Sequence, residues 1–131
     1  MRTIIAGSRT GVGWAHVCRA MTWCGWRPSI VVSGCAAGAD SWCEAWACWE
    51  GIPVEIMPAH WTAYGRSAGA RRNRQMAKAA DALVAVWDGV SPGTRDMIDV
   101  ATRTGLRVFV WQVNALSWST SIDDAQLRAY Y

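Results

Sequence analysis

A chain of 131 residues with 13 Lys and Arg against 10 Asp and Glu is the size of one domain and carries a mild net charge of +3. Its hydrophobic content of 52% and charged content of 18% exclude a disordered chain. No apolar run approaches the ~18 residues of a membrane span.

In chain order, residues 3–6 read as a short buried strand. The chain enters it without the apolar stretch and cleavage site of a signal peptide, so a cytoplasmic protein is expected. A polar loop over 7–13 leads to a helix over 14–26, which Arg27-Pro28 closes because proline disfavours helical geometry in its predecessor. Residues 29–33 form a second strand, dense in Ile and Val as expected where both faces are covered. A Gly-rich loop then reaches Asp40, which suits a helix cap, and the helix runs through Glu50 to a stop at Gly51.

A third strand is expected over 54–57, then a long irregular segment over 58–69 of the kind that is usually functional. A helix over 70–80, a strand over 82–87, a helix over 94–104 closed by Gly105, and a strand over 108–111 complete the pattern. Residues 112–131 read as a tail, with one short helix from Ile122 capped by Ser121. Alternating strands and helices with short connections predict a single Rossmann-like α/β domain over 1–131 (core 2–111). About five parallel strands carry helices on both faces.

In such a sheet every loop that follows a strand emerges on one edge, where backbone N–H groups and helix N-termini favour an anion. Three loops qualify. The first contains Gly7, Ser8 and Arg9; its glycines at 7, 11 and 13 do not match the dinucleotide fingerprint, which argues against an NAD dehydrogenase. Ser8 and Arg9 could hold a phosphate or ribose, and the alternative is a solvated polar turn. In the second loop Ser33 is a candidate ligand contact, Gly34 and Gly38 permit positive φ and close backbone approach, and Asp40 is either a cap or a ribose contact. In the third, Asp88, Ser91, Gly93 and Thr94 combine a strand-tip carboxylate with hydroxyls at a helix start. Asp88 is a ribose or acid/base group or a turn aspartate, and Thr94 a phosphate contact or a cap.

Twelve of the thirteen basic residues are arginine, the side chain best shaped for phosphate. Arg66, Arg71, Arg72, Arg74 and Lys78 cluster. At helical spacing, Arg71, Arg74, Gln75 and Lys78 share one side, while Arg72, Asn73, Met76 and Ala80 share the other. An inward arginine needs a partner or a ligand. Arg72 is therefore the leading site residue, with an ion pair to Asp81 or Asp88 as the alternative. On the third loop Trp61 or Tyr64 could stack on a base, and His60 could titrate near neutrality.

The five cysteines form no C-x-x-C pair, so reduced, mostly buried thiols and no metal are expected. Cys35, in the second glycine loop, is the exception where a thiolate could be stabilised. Trp42, Trp46 and Trp49 recur at helical spacing, which suggests packing or, if the sheet leaves them uncovered, a homo-oligomer interface.

The run Gly7-Ser8-Arg9, Val32-Ser33-Gly34, Gly38-Ala39-Asp40, Pro58-Ala59-x-Trp61, Ala68-Gly69-x-x-Arg72-Asn73-x-x-Met76, Ala80-Asp81-Ala82-Leu83 and Trp87-Asp88-Gly89-x-Ser91-x-Gly93-Thr94 resembles the YspA/YpsA-related branch of the SLOG superfamily over roughly 2–111. The resemblance implies a Rossmann-like fold that binds nucleotides or nucleotide-derived ligands such as NAD- or ADP-ribose-like molecules, in bacteria and their phages. His60 stands where an acidic residue is common in that branch. The chain is also similar to the LOG phosphoribohydrolases. That likeness matches Arg72 to their catalytic arginine and Gly93-Thr94 to their Gly-Thr, but sets Met97 where they carry a glutamate, with Asp96 one position early. A third similarity, to the DNA-processing protein A family around Ser33-Gly34, implies single-stranded DNA, for which the basic groups are few and local.

The expected function is thus sensing or sequestering a nucleotide-derived small molecule, with a bound nucleotide but no required cofactor and no membrane partner. The alternatives are a nucleotide N-glycosidase using Arg72 with Asp88 or Asp96, and single-stranded nucleic-acid binding.

Overall fold

The computed structural model describes residues 1–8, 11–34 and 39–113, with residues 39 and 40 by backbone only. Arg9, Cys35 and Gly38, the Asp40 side chain and the tail from residue 114, with its expected helix from Ile122, lie outside the described residues.

Five strands, β1 (Arg2–Gly7), β2 (Ile30–Ser33), β3 (Val54–Ile56), β4 (Ala82–Trp87) and β5 (Arg107–Gln112), form one parallel sheet in the order β3-β2-β1-β4-β5. The chain starts in the middle, winds outward through β2 and β3, then crosses back to β4 and β5. Right-handed crossovers therefore send the early helices to one face and the later ones to the other. α1 (Trp14–Trp23) and α2 (Ala39–Glu50) cover the first face. There Val17, Ala20, Met21, Cys43, Trp46 and Ala47 pack on Ile5, Val31, Val84 and Val86. The second face is covered by α4 (Ala68–Ala79) and α5 (Pro92–Thr104), whose Met76, Ala77, Met97, Val100 and Ala101 meet Ile4, Val32, Leu83 and Ala85. Successive strand residues point to opposite faces, so Ile4 and Ile5 serve different cores.

Several boundaries differ from the sequence reading for local reasons. α1 stops at Trp23, three residues early, because Gly25 adopts φ 96° and turns the chain before Arg27-Pro28. α2 begins at Ala39, which places Asp40 inside the first turn and not at the cap. The expected irregular segment 58–69 is instead largely helical. Its short α3 (Trp61–Tyr64) and a 3-10 turn (Gly65–Ser67) run directly into α4, two residues earlier than predicted. α5 starts at Pro92, whose fixed φ suits a first helical position, so Ser91 and not Thr94 is the N-cap. None of the helices described is long and apolar enough to cross a membrane.

The tryptophan stripe of α2 divides. Trp46 is 7% exposed and belongs to the core, which removes it from any interface, whereas Trp49 stands out in solvent and Trp42 is partly exposed, its ring edge-to-face with Trp14 at 6.3 Å.

Candidate functional site

Strand order reverses between β1 and β4, and the crevice outside their carboxyl ends is where an open α/β sheet leaves room for a ligand. A cavity of about 490 Å³ opens there. Its floor is Ala6, Gly7 and Ser8 at the end of β1, one wall is Trp61, Arg66, Gly69, Arg72 and Asn73, and the other is Pro92–Thr94 and Asp96 of α5. Loops 85 residues apart in sequence thus share one rim, as the parallel topology requires. Trp61 meets the start of α4 at Gly69, where a Cβ would stand 3.4 Å from the ring.

The α4 pattern holds. Arg71, Arg74, Gln75 and Lys78 are exposed, Asn73 and Met76 are buried, and Arg72 is half-buried. Arg72 does not use either aspartate weighed for it. Its Nη1 donates to the Gly34 carbonyl at 2.9 Å and its Nε to Asn73 Oδ1 at 3.2 Å. Asp81 sits at the opposite, amino edge, where it accepts from the Arg2 N–H at 2.9 Å.

Gly34 serves close approach to a side chain of this protein. A Cβ there would lie 2.8 Å from Cζ of Arg72, and its φ is not among the positive ones.

Asn73 is the hub of this arrangement. Only 4% exposed, it accepts from Arg72, donates to Asp96 Oδ2 at 2.8 Å and reaches the Gly93 carbonyl at 3.3 Å. One amide thereby fixes a guanidinium from α4 and a carboxylate from α5 on either side of itself. Asp96, one position before the expected acid, faces the cavity after all, while Met97 is buried against the sheet with its edge reaching the lining.

Asp88 does other work. Its Oδ1 accepts from the N–H groups of Val90 (2.8 Å) and Ser91 (2.7 Å), and its Oδ2 from the Ser91 hydroxyl at 2.6 Å. Burial opposes its charge, but hydrogen bonds from Ser91, Val90 and Ser8 prevail and lower its pKa to about 2. It is the turn aspartate of the two readings, it is not among the cavity's lining residues, and it is too acidic to carry a proton near neutrality.

Ser8 is 1% exposed and joins β1 to β4: its N–H donates to the Val86 carbonyl at 3.1 Å, and its hydroxyl oxygen accepts from the Asp88 N–H at 3.0 Å. Ser8 still borders the cavity, as do Gly7, Ser91, Gly93 and Thr94. Of these, Gly93 and Thr94 lie in the first turn of α5, where helix geometry supplies N–H groups with no partner further back in the chain.

Ser33 moves out of the site. It is fully buried and donates to Glu44 Oε2 at 2.9 Å, so it fastens β2 to α2. His60 is exposed at the cap position of α3, where its carbonyl accepts from Ala63 and Tyr64. Tyr64 is engaged under the Arg71 guanidinium at 4.4 Å, leaving Trp61 as the aromatic that reaches the cavity.

Arg66 is the lining residue that sequence reasoning did not single out. Its only signal was membership of the basic cluster, and the helical turn that aims it at the cavity was read as loop. Of the thiols described, Cys24 and Cys43 are buried, Cys18 is half-buried and Cys48 is exposed. No group of metal-binding side chains occurs among the described residues.

Fold and site together define a Rossmann-like α/β domain with an arginine-bearing cavity at the carboxyl edge of its sheet. No protein-family model matches the chain. It is similar to the Gene 61 protein of Mycobacterium phage D29, with 40% identity over 86 residues that cover 60% of this chain and 68% of that protein. The chain belongs to the family of that phage protein.

Proposed function

We propose that the protein binds a nucleotide or nucleotide-derived ligand, NAD- or ADP-ribose-like or a nucleoside phosphate, in the cavity between β1 and β4, as a sensor or sequestering protein. The observation that carries this reading is the convergence on one cavity of Arg66, Arg72 and the α5 N-terminus, all attractive to a phosphate, beside Trp61. A volume of about 490 Å³ is in the range of small-molecule sites. The resemblance to the YspA branch of the SLOG superfamily supports the same ligand class.

Thermal and chemical denaturation with ADP-ribose, NAD, AMP and cyclic nucleotides tests the proposal. At ligand concentrations ~100-fold above Kd the folded state should gain about 2.7 kcal/mol, and Arg72→Ala should abolish the gain. No shift with any of these ligands overturns it.

A second reading, a nucleotide N-glycosidase, is favoured by one feature: the Asp96 carboxylate borders the cavity and is held by the same amide that holds Arg72. A carboxylate so placed could stabilise positive charge developing on a ribose ring. Release of free base from nucleoside monophosphates, lost in Asp96→Asn while nucleotide-dependent stabilisation persists, would select this reading over simple binding.

A further inference from the structure

Independently of the cavity, we propose that the outer face of α2 is the interface of a two-fold homodimer, with a second copy of this chain as its occupant. Trp49 is 80% exposed and Trp42 is 42% exposed. The helical turn places them on one side of α2, beside its outward residues Ser41, Ala45 and Cys48, which are also exposed. No charged side chain interrupts this set. The acids nearest to it are engaged elsewhere, Glu44 with the Ser33 hydroxyl and Glu50 with Arg27 at 3.3 Å.

The opposite layer has the solvated face expected of an exposed helix pair, with Arg71, Arg74, Lys78, Arg95 and Arg103 outward. The bare face of α2 is therefore particular to that helix and not a property of the whole surface.

The face is complementary to itself. With a two-fold axis at Ala45, antiparallel packing brings Trp42 of each copy onto Cys48 of the other, and Trp49 beside Ser41. The small residues let the two helices approach closely while the indoles close the sides. A contact of this kind is isologous and terminates at two subunits.

The two indoles supply the largest part of the contact area. At up to ~250 Å² per indole, the exposed parts of Trp42 and Trp49 amount to roughly 300 Å². Ser41, Ala45 and Cys48, all exposed, extend this toward the ~800 Å² per partner of a standard interface.

Light scattering on the full chain should give twice the 14.4 kDa of one copy at micromolar concentration. The geometry places the two Cys48 residues roughly 9 Å apart along the helix axes, so a short bismaleimide should link them, and Cys48→Ser should remove the covalent dimer. Trp49→Lys, at an exposed position that leaves the fold intact by circular dichroism, should raise the dimer dissociation constant at least ~30-fold. Arg103→Glu on the other layer should leave it unchanged. A wild-type chain that stays monomeric at 200 µM, a polydisperse series of larger species, a dimer indifferent to Trp49→Lys, or a cross-link that survives Cys48→Ser would each overturn the proposal.

Discussion

On the layer built by α4 and α5, residues that look into the sheet are small or flexible apolar side chains, Met76, Ala77, Met97 and Ala101, and those that look outward are mostly charged. On the layer built by α1 and α2, the inward set includes Trp46 and the outward set includes Trp42 and Trp49, with few charges between them. Both layers cover the same five strands by the same kind of crossover. They differ in what stands at their ends. The α4/α5 layer ends at the carboxyl edge in Arg72, Asn73 and Asp96, a partly buried polar cluster beside a cavity. The corresponding end of α2 is fastened down by Ser33 and Glu44. A polar cluster kept next to an opening costs stability unless each group is satisfied, which is why so much of it hangs on one asparagine.

The contrast can be broken most forcefully on the aromatic side. Trp46→Ala empties a large buried volume and should cost about 3–5 kcal/mol in chemical denaturation. A loss below about 1 kcal/mol would mean that Trp46 is not core.

The next effect belongs to the polar layer. Asn73→Ala leaves Asp96 without its amide donor and should cost about 1–3 kcal/mol. Ligand-induced stabilisation should vanish with it, because Arg72 loses an acceptor as well. Gly34→Ala tests the same cluster from β2: the added Cβ displaces the Arg72 guanidinium, so binding should weaken while stability falls by less than in Asn73→Ala.

A smaller effect tests Asp88, which stands apart from the cluster. Its pKa is lowered to about 2, below the unfolded value, so the ionised carboxylate adds stability that is fully present above about pH 4. That contribution fades as pH falls through about 2. After allowance for solvent screening it amounts to less than about 1 kcal/mol, and Asp88→Asn should flatten the acid limb of the stability profile by that much. The smallest change is expected at Lys78→Ala, on the solvated side of α4, within about 0.5 kcal/mol of wild type.

Much of this division was legible in the chain. The period of α4 separated Arg72 and Asn73 from Arg71, Arg74 and Lys78, because a helix converts spacing into direction. The strands were legible because covered parallel strands are continuous apolar runs. The roles of Ser33, Asp88 and Gly34 were not. Each sits in a loop pattern that serves a ligand or the protein itself equally well, and the difference lies in which distant group arrives: Glu44, the Ser91 hydroxyl or the Arg72 guanidinium. Which of the three tryptophans packs on the sheet was not legible for a similar reason, since a three- or four-residue spacing groups neighbours on a helix without saying which of them faces the sheet.

What the residues determined unaided was local and periodic: alternating strand and helix, a parallel sheet, and polar loops at the ends of strands. Those features follow from dihedral preferences and the burial of apolar runs, which act over a few residues at a time. Only the tertiary structure decided which loop groups form a cavity and which are consumed in holding it. That selection depends on a single amide, Asn73, meeting Asp96 across 23 positions of chain and Arg72 meeting the Gly34 carbonyl across 38, and packing alone sets those encounters.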